Sequence, residues 1–116
     1  VKKGLPPIIY GDGFQTRDFI HVDDVSEAIR LVIEKRVCDV FNVASGKEIS
    51  INRLAEIILK ISRLEIKPIY EAARPGDIGH SVADISKIVK VLGFKPKISL
   101  ESGLRKLLNI TYLDTV

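Results

Sequence analysis

Between residues 25 and 33 apolar side chains recur at Val25, Ala28, Ile29, Val32 and Ile33. That i, i+3, i+4, i+7, i+8 stripe is the mark of an amphipathic helix. Leu31 widens the stripe, so this helix is expected to need cover on more than one side. Asp24, with Glu27 three positions on, predicts the helix start as a capping box built from carboxylates. A second helix is predicted from Ser50, with Ile51, Leu54, Ala55, Ile58 and Leu59 on one face and Ile57 and Ile61 broadening it. A third begins at Asp84, turns Ile85, Ile88, Val89 and Leu92 inward, and stops at Gly93. Ser99 caps a fourth, with Leu100, Leu104, Leu107 and Leu108 inward. From Thr111 onward the pattern assigns no element.

Strand signals are shorter. Pro7–Tyr10 and Thr16–Val22 flank the turn Gly11-Asp12-Gly13, where positive φ is cheap. Val40–Ala44 is a strand candidate closed by Ser45-Gly46. Ile66–Tyr70 reads as an edge strand, because Pro68 cannot donate to a ladder. A long loop, Glu71 to Ser81, follows. The mixture is α/β, with too few strands for a doubly wound sheet. Val40–Ala44, isolated between helices, is expected to find its neighbours outside this chain.

Composition narrows the class. A chain of 116 residues, 46% hydrophobic and 28% charged with five prolines, fits one small folded unit spanning residues 1–116 rather than a disordered segment. The net charge of +3 is mild, and Lys and Arg are scattered with few aromatics among them, which argues against nucleic acid as a partner. No apolar run approaches the roughly 18 residues that would suggest a membrane span. Cys38 is the sole cysteine, so no intrachain disulfide can form, a reducing, cytoplasmic setting is expected, and the thiol is expected to be packed. The absence of Met and the start at Val1 suggest either a piece of a longer polypeptide or a start codon read as Val. His21 and His80 stand apart with no ligand spacing around them, so no metal site is expected.

The candidate chemistry lies in two stretches. Arg17 follows the glycine turn, and its guanidinium fork matches phosphate oxygens. An ion pair with Asp18, Asp23 or another carboxylate is an equal alternative from the residues alone. In Arg74-Pro75-Gly76-Asp77, Pro75 stiffens the loop and Gly76 permits a sharp turn. One stiff loop could therefore present an arginine to a phosphate and a carboxylate to a ribose diol, although the same residues also describe an ordinary surface turn. Asn42 reads as a turn-former bonding nearby backbone, Asp23 and Asp24 as helix-capping residues, and Gln15 and Thr16 as loop braces or ligand contacts.

Taken together, Gly11-Asp12-Gly13-Phe14-Gln15-Thr16-Arg17-Asp18-Phe19, Phe41-Asn42-Val43-Ala44-Ser45-Gly46, Arg74-Pro75-Gly76-Asp77 and Ser81-Val82-Ala83-Asp84-Ile85-Ser86-Lys87 resemble, in order, the second half of NAD-dependent nucleotide-sugar epimerases and dehydratases of the extended short-chain dehydrogenase/reductase family. The resemblance runs from about Pro7 to about Leu108. With Leu92-Gly93-Phe94-Lys95-Pro96-Lys97, the pattern is most similar to UDP-glucose 4-epimerases; dTDP-glucose dehydratases and UDP-glucuronate decarboxylases share the layout.

The resemblance implies that Arg17 and Arg74 meet the diphosphate of a UDP-sugar and that Asp77 meets the ribose hydroxyls. It also implies that the polypeptide crosses back to the dinucleotide-binding half in this region. That N-terminal Rossmann half, which holds NAD in the parent enzymes, is not in this sequence. The family's chemistry uses a tyrosine base in Tyr-x-x-x-Lys, but Tyr10, Tyr70 and Tyr112 each lack a Lys four positions later. A glycine fingerprint for NAD is absent too. The chain is therefore expected to supply no catalytic residue, to bind no cofactor alone and to be inert by itself. Three roles remain open: the substrate-binding portion of an epimerase partnered by a Rossmann half in the same or a separate chain, a stand-alone nucleotide-sugar module, or a remnant whose exposed apolar faces drive self-association.

Overall fold

A computed structural model describes residues 1 and 3–113, the side chains of 109–113 excepted. In chain order the elements are β1 (Ile8–Tyr10), β2 (Thr16–Asp18), α1 (Val22–Lys35), β3 (Glu48–Ser50), α2 (Ile51–Ser62), β4 (Ile69–Glu71), α3 (Ser86–Leu92) and α4 (Leu100–Leu113). Their order matches the expected mixture of short strands and four helices. β1 pairs in parallel with β4, Ile8 opposite Ile69 and Tyr10 opposite Glu71. β2 pairs antiparallel with β3, placing Arg17 opposite Ile49. α1 packs on α3, and α2 on α4.

The main core forms where α1 meets α3. Ala28, Ile88, Leu92 and Phe94 are buried there, with Ile20, Leu31, Val32, Phe41, Val43 and Val89 packed around them. Phe94 is wholly buried; it follows the left-handed Gly93 (φ +66°) that ends α3, so the sharp exit from the helix points the ring straight back under it. Full burial of such a ring is worth about 1.5–3 kcal/mol. Ser50 caps α2 by accepting from the Arg53 amide at 3.2 Å, and the Ser99 hydroxyl does the same for Ser102 in α4.

Several expectations are corrected. α1 starts at Val22, not Asp24: His21 is its cap, and His21 Nδ1 accepts from the Asp23 amide. Asp24 is instead buried, accepting from the amides of Lys97 and Ile98, both at 3.0 Å. A buried carboxylate needs such donors, and a segment arriving from far along the chain supplies them better than a capping box would. β2 is correspondingly cut short at Asp18, and the expected strand Ile66–Tyr70 appears only from Ile69 to Glu71. Glu48–Ser50 is a strand that the pattern did not suggest. The third helix begins at Ser86; Asp84 still serves its start, accepting from the Ser86 amide at 2.8 Å. The helical backbone of α4 continues past Thr111 to Leu113.

Val40–Ala44 forms no strand. Phe41 and Val43 face the core while Val40 is 83% exposed, an alternation suited to a strand that lacks a ladder partner. On α1, Ala28 is buried but Val22, Ile29 and Ile33 are exposed, so the broad apolar face expected from sequence is covered on one side only. At 48 × 40 × 19 Å the molecule is only about two helix diameters thick, which leaves no second layer for either surface. Leu107 is also exposed rather than inward, and Cys38 is exposed rather than packed: it lies just beyond the left-handed Arg36 that ends α1, on the outer run leading to Val40. Among the described residues no helix is long and apolar enough to cross a membrane.

The Asp24 clasp is the only buried carboxylate among the described residues and joins α1 to the entry of α4. Asp24→Ala should lower the unfolding free energy by about 2–3 kcal/mol, because it strands two backbone donors. Chemical denaturation of the variant beside the wild type measures this, and coincident midpoints would contradict the clasp's importance.

Candidate functional site

The site grows from the Gly11-Asp12-Gly13 turn. Gly11 (φ +80°) and Gly13 (φ +76°) adopt left-handed backbone, and a Cβ on Gly13 would lie 1.9 Å from Asn52 Oδ1, so only glycine fits. Asn52, in the first turn of α2, holds the turn from both sides. Its backbone amide donates to Gly13 O at 2.9 Å and its side-chain amide to Asp12 O at 2.9 Å. The Tyr70 hydroxyl donates in turn to Asn52 Oδ1 at 2.9 Å. Sequence reading missed Asn52; its only signal was a polar residue early in an apolar helix, which has no distinctive meaning. Gln15 proves to be a brace, donating to Tyr10 O at 2.7 Å.

β2 carries Arg17 and Asp18 in opposite roles. Asp18 turns to the protein. One carboxylate oxygen accepts from the Ser45 amide at 2.9 Å and its hydroxyl at 2.5 Å. The other accepts from the amides of Gly46 at 2.9 Å and Ala83 at 3.4 Å. Partial burial pushes its pKa upward, but the hydrogen bonds from Ser45, Ala83 and Gly46 together outweigh burial and hold it below its ordinary 3.8. Asp18 is therefore unavailable to Arg17, and that candidate ion pair does not form.

Arg17 instead meets Asp77, at 2.5 Å from Nη2 to Oδ1. Its Nη1 donates to Thr16 O at 2.7 Å and Ile78 O at 2.6 Å. The loop of residues 72–82 is thus laid along β2, with the Thr16 amide also donating to Gly79 O at 2.8 Å. The Thr16 hydroxyl donates to Glu48 Oε2 at 2.7 Å and lies 3.1 Å from His80 Nδ1. His80 itself is largely exposed.

Arg74 to Asp77 form a tight turn in which the Asp77 amide donates to Arg74 O at 3.2 Å. Proline at its second position and Gly76 at φ +77° match a type II turn. The Arg74 guanidinium lies over the Tyr10 ring, 3.9 Å from its centroid, a cation–π contact. The three sequence candidates therefore converge on one surface: Arg17 and Asp77 touch, and Arg74 sits at the other end of the same turn against β1. Asn42, whose side-chain amide donates to Asp84 O at 3.1 Å, stays outside this surface and bonds backbone, although backbone far along the chain. An open groove lined by Phe19, Lys47, Glu48, Ile49 and Ile98 runs beside it and includes none of the three. Among the described residues no group of His, Cys, Asp and Glu could hold a metal ion. Two guanidiniums within one exposed, polar surface suit an anion with several oxygens.

The sequence profile of the GDP-mannose 4,6 dehydratase family matches residues 1–107. The chain belongs to this family, within the extended short-chain dehydrogenases/reductases. Among solved structures it is similar to the UDP-glucose 4-epimerase of Thermotoga maritima with UDP-glucose, at TM-score 0.92 and 34% identity over 98% of this chain and 37% of that one. It is similar also to the UDP-N-acetylglucosamine 4-epimerase of Methanobrevibacter ruminantium M1 in complex with UDP-N-acetylmuramic acid, at TM-score 0.91 and 42% identity over 98% of this chain and 37% of that one. A third is the UDP-glucuronic acid 4-epimerase of Bacillus cereus in complex with UDP-glucuronic acid and NAD, at TM-score 0.85 and 30% identity over 97% of this chain and 37% of that one. The chain spans about a third of the length of the curated relatives it matches, and its fold corresponds to their C-terminal part.

Asp18 gives a pH signature. Because its folded-state pKa lies below the unfolded one, the stabilisation it contributes is complete above about pH 4 and is lost as pH falls through the folded value. Asp18→Asn should therefore be less stable than wild type at neutral pH, by about 1–3 kcal/mol, with the gap closing as the solution is acidified. Denaturant midpoints for both proteins across the acid range test this. A gap independent of pH would show that the carboxylate's charge is not what holds Ser45, Gly46 and Ala83.

Proposed function

We propose that residues 1–116 are the nucleotide-sugar-binding portion of an NAD-dependent epimerase whose parent reaction interconverts UDP-glucose and UDP-galactose at C4. The observation that carries this reading is the meeting of Arg17 and Asp77, sixty positions apart in sequence, in a family whose solved neighbours hold UDP-sugars. In this reading Arg17 and Arg74 grip the diphosphate from either end of the Arg74–Asp77 turn, and Asp77 accepts from the ribose hydroxyls. Pre-positioned guanidiniums fix the nucleotide, and so fix where the sugar is presented. None of these groups takes up hydride or serves as the tyrosine base.

The rest of the enzyme would come from the N-terminal Rossmann half, in the same or a separate chain. NAD belongs to that half, as do the base and its lysine. The exposed Val22, Ile29 and Ile33 of α1 and the unladdered Val40–Ala44 are the surfaces this half would cover. The same surfaces favour a second reading, self-association of the chain when that half is absent, since bare apolar stripes and unpaired strand-like backbone invite it.

Calorimetric titration of UDP tests the site. Arg17→Ala and Arg74→Ala should each weaken binding by about 1.5–3 kcal/mol, the worth of a charged hydrogen bond. Wild-type affinity in both variants would remove the diphosphate assignment. Asp77→Ala should lower the affinity for UDP relative to that for inorganic pyrophosphate, and an unchanged ratio would remove the ribose assignment.

A further inference from the structure

We propose that Asp77 is an internal competitor for the diphosphate: in the unliganded chain it occupies Arg17 and straps residues 77–80 onto β2, and a diphosphate must displace it before Arg17 can bind. This rests on the reading of Arg17 as a diphosphate ligand and adds an exchange step to it.

The geometry of Arg17 points to exchange. Its three hydrogen bonds go to Thr16 O, Ile78 O and Asp77, two of them to the strap. Nη2 carries two N–H donors, but a phosphate brought to it beside the Asp77 carboxylate would set two anions against each other, which favours exchange over sharing. A diphosphate offers more charge and more acceptor oxygens than the single carboxylate oxygen now in place. Both members of the pair are about one-third exposed, Arg17 at 28% and Asp77 at 35%, so solvent screens their attraction and keeps it weak enough to be displaced.

The strap is also built to lift. Every residue from Glu71 to Val82 is exposed, Ile78 and Val82 included. No side chain of the strap is anchored in the core, and its hold on β2 is polar: Asp77 and Ile78 O on Arg17, Gly79 O on the Thr16 amide, and His80 beside the Thr16 hydroxyl. Gly76 and Gly79 bracket the segment, and a Cβ at either would meet nothing within 4 Å, so no packing resists rotation there. Behind the strap, Ala83 is fixed to Asp18, and ahead of it the Gly11 amide donates to Glu71 O. Movement would therefore be confined to the stretch between. Released from Arg17, the Asp77 carboxylate would become free to accept from the nucleoside end of the ligand.

The two steps make opposite predictions for Asp77. Against inorganic pyrophosphate, which has no ribose, Asp77 only competes, so Asp77→Asn should tighten binding about three- to tenfold by removing the occupant of Arg17. Asparagine keeps the turn and the size of the side chain. Titrations of pyrophosphate should include wild type, Asp77→Asn, Glu48→Gln as a control for loss of a neighbouring negative charge, and Asp77→Asn combined with Arg17→Ala. Amide exchange at Thr16, whose N–H is bonded to Gly79 O, should quicken when pyrophosphate is added to wild type.

Tightening that is specific to Asp77→Asn and vanishes without Arg17 supports the exchange. Wild-type pyrophosphate affinity in Asp77→Asn overturns the exchange while leaving the diphosphate reading intact. An equal gain in Glu48→Gln, or a gain that survives removal of Arg17, reduces the effect to bulk charge and overturns it as well. Failure of wild type and Asp77→Asn alike to bind pyrophosphate overturns the diphosphate reading itself, and the exchange with it.

Discussion

The structure around the site depends on one carboxylate, that of Asp18. Its two oxygens collect donors from Ser45, Gly46 and Ala83, which belong to two separate stretches of chain. These bonds fix β2 against the turn that follows Val40–Ala44 and pin the far end of the loop that carries Arg74 and Asp77. Alternation along a strand then sends the preceding side chain, Arg17, to the other face. The arginine is left to meet the exposed loop of residues 72–82 because its neighbour is held by the protein.

Asp24 repeats the device one element later. Buried in α1, it clasps the amides of Lys97 and Ile98, so the run from Arg17 to Asp24 uses two of its acids as internal staples and leaves its arginine outward. Asn52 does similar work for the glycine turn with neutral groups. The scaffold is thus held by ionised or amide side chains satisfied by backbone, where each unmade bond would be costly. The surface that carries Arg17, Arg74 and Asp77 is different in kind: exposed, polar and tied by weak pairs. That division leaves a stiff frame beneath an exposed loop held by polar contacts alone, the arrangement that the proposed exchange at Arg17 requires.

Much of this was legible in the sequence because it rests on local signals. The 3.6-residue stripes of α1, α2 and α3, the serine caps of α2 and α4, and the Gly93 stop are short-range features, and each appears. The Arg74-Pro75-Gly76-Asp77 turn follows from the backbone limits of proline and glycine. What the pattern missed depends on contacts between distant residues. Asp24 looked like a cap because its partners, Lys97 and Ile98, lie beyond any local window. Arg17 had several possible carboxylate partners, and only the course of residues 72–82 selects Asp77 over Asp18 and Asp23. β3 is three residues long and exists because β2 lies beside it. Val40–Ala44 has a strand's alternation with no ladder, since alternation reports which face is buried and says nothing of where a hydrogen-bonding neighbour lies. The expectation of a packed Cys38 failed for a similar reason: the apolar run beside it faces the core with only part of its residues.

The chain belongs to the GDP-mannose 4,6 dehydratase family and spans about a third of its curated relatives, and the proposed function joins the arginine surface to a nucleotide sugar and the uncovered face of α1 to a Rossmann half. The central claim is that the diphosphate-gripping surface is complete within these 116 residues. A thermal melt of the purified chain, with and without millimolar UDP and with NAD as comparison, tests it most directly when light scattering reports size alongside. The account predicts an upward shift with UDP and none with NAD. A melt that UDP leaves unmoved, in a sample that light scattering shows to be a small species, would contradict it.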